Sequence, residues 1–250
     1  MRIDLNADAG ESYGVWSLGQ DQALLALVTS VNLACGFHAG DPLTIQRAVR
    51  TAKEKGVAVG AHPGFPDRLG FGRRQLDASP EEIYADVLYQ IGALSAFVRA
   101  EGLTLHHVKP HGALYIQATR LKETARAIAS AVKDFDPTLP LVVLPNTVFE
   151  HEAQSAGLRT IAEAFPERGY TREGLLASRG TEGAVIHDPR LAAQRALQMV
   201  TKGLVESVDG SLVAVRADTL CIHGDNPAAL AIAGAVREGL EASGIEIRAF

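Results

Sequence analysis

The stretch Asn-Leu-Ala-Cys-Gly-Phe-His-Ala-Gly-Asp-Pro at residues 32–42 decides how the rest of the chain is interpreted. It continues a short apolar strand, predicted over residues 31–34, and it ends where Asp41 and Pro42 open a helix. An aspartate there caps the first helical turn, and proline at the first helical position loses no hydrogen bond. Between strand and helix lie two glycines, a cysteine and a histidine, and glycine lets the backbone turn sharply or approach a ligand closely. This order is typical of active-site loops in α/β proteins.

The same succession of strand, polar loop and helix recurs along the chain. Strands of similar length separated mostly by helices predict a parallel sheet with crossover helices. We therefore expect an α/β fold in which residues 1–250 form a single domain, a closed or nearly closed seven-stranded β/α barrel. An open, doubly wound sheet is the alternative, because the number of strands alone does not decide closure. Asp209 and Gly210, between two valine-rich segments, predict a hairpin turn. The seven predicted strands are residues 3–8, 31–34, 57–61, 103–108, 141–144, 159–164 and 219–222.

The composition excludes several classes of protein. The chain has 250 residues, of which 47% are hydrophobic and 21% charged, as is ordinary for a globular protein. Its formal net charge of -5 and its lack of a basic run argue against a nucleic-acid surface. We find no signal-peptide pattern and no apolar run long enough to span a bilayer. Two cysteines do not make a disulfide framework, so we expect a cytoplasmic protein without membrane or nucleic-acid partners.

Charged residues and histidines gather at the ends of the predicted strands. On the first strand, Asp4, Asn6 and Asp8 share one face, as expected for an edge strand or for a barrel strand that lines a polar interior. The carboxyl ends of barrel strands converge on one face, where ligands bind. Any one of these residues alone is more simply explained as part of a capped turn or as a structural histidine. Together they predict a ligand-binding or catalytic site. The candidates at strand ends are Asp8, Glu11, His38, His62, Lys109, His111, Glu163 and His223.

Metal and nucleophile chemistry are the first alternatives to consider for such a site. His107 and His111 are four residues apart, but Pro110 lies between them, so they do not share a helix face as in a zinc protease. Zinc coordination stays open as an alternative, although we predict no bound metal. Cys35 has a histidine and a helix start nearby, yet a small buried residue is the simpler interpretation, and Cys221 is predicted to be core. The chain lacks the phosphate-loop, dinucleotide and nucleophile-elbow patterns.

Five motifs occur in order from the first predicted strand to the last. They are residues 4–8 with Gly10-Glu11, residues 32–42, Gly60-Ala61-His62-Pro63, residues 108–115 and His223-Gly224-Asp225. Together they resemble the family of the 5-oxoprolinase A subunits, also called the LamB/YcsF family, over essentially the whole chain. Ile116, Pro166 and Ser178 depart from the pattern of that family, although Glu167 keeps a carboxylate in the loop after the sixth strand.

The resemblance implies a β/α barrel related to the glycoside hydrolase/deacetylase superfamily. It also implies ATP-dependent opening of 5-oxo-L-proline to L-glutamate, in a complex with subunits B and C. ATP and Mg²⁺ would then bind to this chain or to those partner subunits. Two other classes stay open: a metal-dependent hydrolase or deacetylase of the same barrel type, and a non-catalytic substrate-binding subunit.

Under this hypothesis each candidate has a role. Asp8 and His62 would act as general base and general acid, and Lys109 would neutralise the developing oxyanion or a phosphate. His38 and His111 would orient the substrate, and Arg168 or Arg179 would clamp its carboxylate with two parallel hydrogen bonds. The full set of predicted substrate-binding residues is Asn6, Glu11, His38, His111, Glu163, Arg168, Arg179 and His223.

Overall fold

Seven parallel strands close into a barrel in this computed structural model, which describes residues 1–250. The barrel strands are β1 to β6 and β9, out of ten strands in the chain. The ten are β1 (Arg2–Ala9), β2 (Ser30–Ala34), β3 (Ala58–His62), β4 (His107–Val108), β5 (Leu141–Val143), β6 (Thr160–Ala164), β7 (Leu204–Glu206), β8 (Leu212–Ala214), β9 (Thr219–His223) and β10 (Glu246–Ile247). Strands β1 to β6 pair in chain order, β6 pairs with β9, and β9 pairs with β1. The last pairing leaves no open edge, so the prediction of a closed seven-stranded barrel is confirmed and the open sheet is excluded.

Eight helices accompany the strands, and most of them connect one barrel strand to the next. The helices are α1 (Asp21–Leu24), α2 (Pro42–Lys55), α3 (Pro80–Ala100), α4 (Gly112–Ala118), α5 (Lys122–Phe135), α6 (Val148–Ser155), α7 (Pro189–Lys202) and α8 (Ala229–Ala242). Their apolar faces cover the outside of the barrel, and the hydrophobic core lies between these two layers. None of the eight is long and apolar enough to cross a membrane.

Local sequence explains where the crossover helices α2 and α3 start. Asp41 caps α2, and one of its carboxylate oxygens accepts hydrogen bonds from the backbone N–H groups of Leu43 (2.9 Å) and Thr44 (3.1 Å). Its other oxygen accepts from the backbone N–H of Gly14 (2.9 Å) in the loop after β1. Ser79 caps α3 through a reciprocal capping box with Glu82. The cap at Asp41 was predicted, and Asp41 also ties the first loop to the start of α2.

Replacing Asp41 by Ala is expected to lower the free energy of unfolding by about 1–2 kcal/mol, because two helical N–H groups and one loop N–H lose their acceptor. Denaturant unfolding followed by circular dichroism measures the change. Asp77→Ala is the matched control, since Asp77 is exposed and caps no helix, and it is expected to stay within about 0.5 kcal/mol. Equal effects of the two substitutions would contradict the assigned role of Asp41.

Three parts of the chain differ from the sequence-based prediction. Strand β4 has two residues, not the six predicted at 103–108, because the backbone after Gly102 (φ +75°) folds back to close α3 and bonds to β3 only from His106 onward. Helix α4, directly after His111, was not predicted, and no side-chain cap marks its start. The short strand β10 pairs with the beginning of β1 outside the barrel. The hairpin turn at Asp209-Gly210 is confirmed between β7 and β8.

The alternation along β1 decides what fills the barrel. Ile3, Leu5 and Ala7 are buried in the apolar layer beneath the helices. Asp4, Asn6 and Asp8 are buried as well, and their side chains bond to other strands across the interior of the barrel. The interior is therefore a stack of polar layers, as predicted for a strand that lines a polar lumen.

Candidate active site

Two polar layers inside the barrel, one around Asp4 and one around Asn6, lie below the site and support it. In the first, Asp4 accepts hydrogen bonds from the hydroxyl groups of Thr29 (2.6 Å) and Ser30 (2.7 Å). In the second, the side-chain amide of Asn6 donates to Glu163 (3.2 Å) and its carbonyl oxygen accepts from the amide of Asn32 (2.7 Å). Every member of these layers is buried or nearly so, and each is bonded to a neighbouring strand, which fixes the side chains that lie above.

The upper layer is centred on the ammonium group of Lys109, which is 3% exposed. This group lies 2.9 Å from Asp8 Oδ1, 2.8 Å from Glu163 Oε1 and 2.9 Å from the sulfur of Cys221. Burial disfavours the charges of Lys109 and Asp8, but their mutual attraction and that of the neighbouring groups outweigh it. The pKa of Lys109 is therefore raised well above the ordinary value of a lysine, and the pKa of Asp8 is lowered well below the ordinary value of an aspartate. Both groups are charged at neutral pH.

A cluster of three buried histidines adjoins this ion pair. His62 Nδ1 lies 2.7 Å from the carbonyl oxygen of Lys109, and its Nε2 lies 3.3 Å from Asp8 Oδ2 and 2.9 Å from His111 Nδ1. His111 Nε2 lies 2.8 Å from the carbonyl oxygen of Phe71. The ring of His38 stacks on that of His111, with centroids 3.9 Å apart and planes 2° from parallel. Burial first, and then the neighbouring histidines, lower the pKa of His38 and of His111.

On the other side of Asp8, His223 is positioned by a carboxylate that sequence reasoning did not choose. Glu167 lies next to His223 Nδ1 and also accepts from the backbone N–H of His223 and from Asn226, at 2.8 Å each. His223 Nε2 then lies 3.9 Å from Asp8 Oδ2, so two histidines flank the same carboxylate oxygen. The hydrogen bond from His223 helps to keep the pKa of Glu167 below its ordinary value against the effect of burial.

A cavity of about 450 Å³ opens above this layer at the carboxyl ends of the strands. Seven of the predicted residues line it: Asp8, His62, Lys109, His111, Arg168, Arg179 and His223. Four others lie outside its wall: Asn6, Glu11, His38 and Glu163. These four contact the lining side chains or lie behind them, so any effect they have on a ligand in this cavity passes through other groups. The wall also contains residues that were not predicted, among them Arg73, Tyr115, Arg120, Phe165 and Ser178.

The two arginines proposed as alternatives for a carboxylate clamp have different surroundings. The guanidinium of Arg168 donates to the carbonyl oxygens of Ala184 (3.1 Å) and Ala177 (2.7 Å), so it holds the loop after β6. Burial lowers the pKa of Arg168 to about 10. Arg179 is exposed at the cavity and forms no ion pair with a protein carboxylate. The geometry therefore favours Arg179 over Arg168 as the group that is free to bind an anionic ligand.

Two groups of side chains come close enough to be considered as metal ligands. In the first, Glu11 joins His38, His62 and His111, but the parallel stack of His38 on His111 prevents their in-plane lone pairs from converging on one ion. In the second, Asp8 joins Cys221 and His223, and there the ammonium group of Lys109 already occupies the position beside Asp8 and the thiol. As arranged, neither group fits a metal ion.

Neither cysteine is suited to nucleophilic chemistry. Burial raises the pKa of the Cys35 thiol to about 12, and the pKa of Cys221 is raised as well, first by burial and then by Asp8. Both side chains are buried, at 3% and 0% exposure. We expect neither thiol of the native protein to react with iodoacetamide at mildly alkaline pH, whereas both react after denaturation. Mass spectrometry of the intact protein measures this, and rapid native alkylation of Cys35 would contradict the interpretation of that residue as core.

The closed barrel and the charged cavity at its carboxyl ends define a β/α-barrel protein whose main cavity is lined by strand-end side chains. Within that class the chain belongs to the LamB/YcsF family, whose model matches residues 3–250. This confirms the resemblance found in the five sequence motifs.

Related proteins match this chain over all or nearly all of its length. The 5-oxoprolinase A subunit of Thermus thermophilus is 68% identical over 250 residues, covering 100% of both chains. The 5-oxoprolinase A subunit 1 of Agrobacterium fabrum is 52% identical, covering 99% of this chain and 97% of that one. The crystal structure of the lactam utilization protein from Thermus thermophilus superposes with a TM-score of 0.96 at 66% identity, covering 100% of both chains.

Proposed function

We propose that this chain is the ring-opening subunit of a 5-oxoprolinase, which hydrolyses the lactam of 5-oxo-L-proline to L-glutamate. The names of its full-length relatives support the reaction. The observation that carries the proposal is the ammonium of Lys109, held between Asp8 and Glu163 beside a pair of histidines at the bottom of the cavity. Lactam hydrolysis needs a proton acceptor for the attacking water, a proton donor for the leaving nitrogen and a cation for the oxyanion. Asp8, His62 and Lys109 would supply these in turn.

In the proposed complex, Arg179 binds the carboxylate of the substrate at the cavity wall, and the lactam carbonyl is directed toward Lys109. Water attacks the carbonyl carbon while Asp8 takes a proton from it, and Lys109 neutralises the negative charge on the lactam oxygen or on the phosphoryl group that this oxygen carries. The ring C–N bond then breaks, and its electron pair stays on nitrogen, which takes a proton from His62. The product is the open chain of glutamate.

We propose that ATP enters this reaction through the complex. The lactam oxygen takes the terminal phosphoryl group of ATP and ADP leaves, and water attack with C–N cleavage then gives an acyl phosphate of glutamate. A second water hydrolyses this acyl phosphate to glutamate and phosphate. This chain has no phosphate-loop pattern, and Asp8, the carboxylate that lines its cavity, is already paired with Lys109, so it does not fit Mg²⁺. We therefore assign ATP and Mg²⁺ binding to the partner subunits B and C. The cytoplasm, where ATP is available, is the compartment that this proposal requires.

The proposal is tested by measuring glutamate release from 5-oxo-L-proline, ATP and magnesium with this protein alone, with subunits B and C alone, and with all three. We expect glutamate only from the complete mixture. Equal glutamate release by folded subunits B and C without this chain would contradict the assignment of ring opening to the barrel. A stoichiometric bound metal, with turnover that a chelator abolishes in this chain alone, would favour the metal-dependent hydrolase instead.

A further inference from the structure

The hydrogen bonds around His62 and His111 restrict where their protons can be. His62 Nδ1 faces the carbonyl oxygen of Lys109, and His111 Nε2 faces the carbonyl oxygen of Phe71. A carbonyl oxygen only accepts hydrogen bonds, so both of these outer nitrogens carry hydrogen in every protonation state. The two inner nitrogens, His62 Nε2 and His111 Nδ1, then face each other at 2.9 Å. If both rings were neutral, two lone pairs would face each other at that distance.

We propose that His62 and His111 together hold one additional proton in the resting protein, shared between their inner nitrogens. The pair then carries a single positive charge, and the 2.9 Å contact becomes a charge-assisted hydrogen bond. The use of this proton in ring opening rests on the proposed function, whereas its presence follows from the geometry alone.

The charges that surround the pair agree with one added proton. Asp8 and Glu163 are two carboxylates that share the single ammonium group of Lys109, which leaves one negative charge. Asp8 Oδ2 lies 3.3 Å from His62 Nε2, so the remaining charge is beside the shared proton. The titratable and charged groups that face the pair are Asp8 from β1, Glu11 from the loop after it, His38 after β2, His107 from β4, Lys109 directly after β4 and His223 from β9. Arg73, after β3, acts on Glu11 and His38 behind them.

His38 decides which ring keeps the proton. Its two ring nitrogens are buried without a hydrogen-bond partner in the protein, so the ring is held neutral against the face of His111. A neutral ring in that position offers no partner for a charge on His111, and burial lowers the pKa of His111 further. The proton therefore resides mainly on His62 Nε2, where Asp8 faces it and where His62 lines the cavity.

The proton cycle balances without an additional reactant. His62 gives its Nε2 proton to the leaving nitrogen as the C–N bond breaks, and Asp8 takes one proton from the attacking water. Transfer of that proton from Asp8 Oδ2 to His62 Nε2, which lie 3.3 Å apart, restores the resting state. His62 is the catalytic acid in this scheme, and His111 and His38 are positioning residues.

Side-chain NMR of isotope-labelled histidines in the isolated chain tests the shared proton without partners or substrate. At about pH 8 we expect one imidazolium, assigned to the His62–His111 pair. In Asp8→Asn the titration midpoint of the pair is expected to fall by at least about 1 pH unit, because the facing negative charge is lost. His187→Gln, a change at an exposed histidine outside the cavity, is the matched control and should leave that midpoint in place.

Two results would overturn the proposal. One is a pair in which both rings are neutral at pH 7, and the other is a stoichiometric metal bound between the inner nitrogens. In the complete complex, His111→Phe keeps the stack on His38 but removes the acceptor, so the alkaline limb of the pH profile of glutamate release is expected to move down by about 1 unit. A shared proton seen by NMR together with no glutamate from the complete complex would reject the proposed function and leave the proton assignment intact.

Discussion

Replacing Asp8 by Asn is expected to lower glutamate formation by the complete complex by ~10²-fold or more. The amide cannot accept the proton of the attacking water. It also removes the negative charge that faces Lys109 at 2.9 Å and His62 at 3.3 Å, so the acid and the oxyanion-stabilising group both lose their orientation. The measurement is the initial rate of glutamate release at saturating 5-oxo-L-proline and ATP, with the assembly of the complex checked by size-exclusion chromatography.

The matched control for this substitution is Asp134→Asn. Asp134 accepts a hydrogen bond from the hydroxyl of Tyr84 (3.0 Å) on the outer, helical layer, far from the cavity, so its loss should leave the rate within about twofold. If the Asp8→Asn complex assembles and its rate stays within a few-fold of the parent, Asp8 is not the general base.

Replacing Lys109 by Met is expected to abolish glutamate formation and to lower the free energy of unfolding by about 3–5 kcal/mol. Methionine has a similar length but no charge, so Asp8 and Glu163 remain buried close together without their shared cation. Equilibrium denaturation measures the loss. Lys202→Met, an exposed lysine at the end of α7, is the control and should change stability by less than about 0.5 kcal/mol.

The stability loss in Lys109→Met also has a defined pH dependence. His62 and Lys109 hold the pKa of Asp8 low against the effect of burial, so the removal of Lys109 raises that pKa in the folded state. A raised carboxyl pKa destabilises the fold while the group is ionised, and the penalty decreases as pH falls through the raised pKa. We therefore expect the deficit to be largest near neutral pH and smaller in mild acid. The second substitution Glu163→Gln should recover part of it, and a deficit that does not depend on pH would contradict the buried ion pair.

The sequence was sufficient to predict the barrel and the floor of its cavity. Strand, loop and helix signals recur with enough regularity to count seven strands, and in a parallel barrel the residues at strand ends meet on one face. That rule alone placed Asp8, His62, Lys109, His111 and His223 in the cavity wall. It also placed Asn6 and Glu163 near the site, but it could not show that they lie one layer below the wall.

The remaining features depend on contacts that local patterns do not encode. Arg73 and Tyr115 reach the cavity from a loop and from the unpredicted helix α4, so no strand end marked them. Asn32 lies in the stretch that decides the fold, but its bond to Asn6 depends on the register between β1 and β2. Arg168 and Arg179 have the same chemistry in sequence, and only the carbonyl groups around Arg168 distinguish them.

Whether ring opening occurs in this barrel is tested most directly by mixing wild-type and Asp8→Asn chains in the complex. Subunits B and C are combined with a fixed total amount of this chain, in which an increasing fraction is Asp8→Asn, and glutamate release is measured. If ring opening occurs in the cavity of this chain, the rate falls in proportion to the fraction of variant, while the same series with Asp134→Asn stays level. A rate that does not change as the wild-type chain is replaced by assembled Asp8→Asn would show that ring opening occurs elsewhere in the complex.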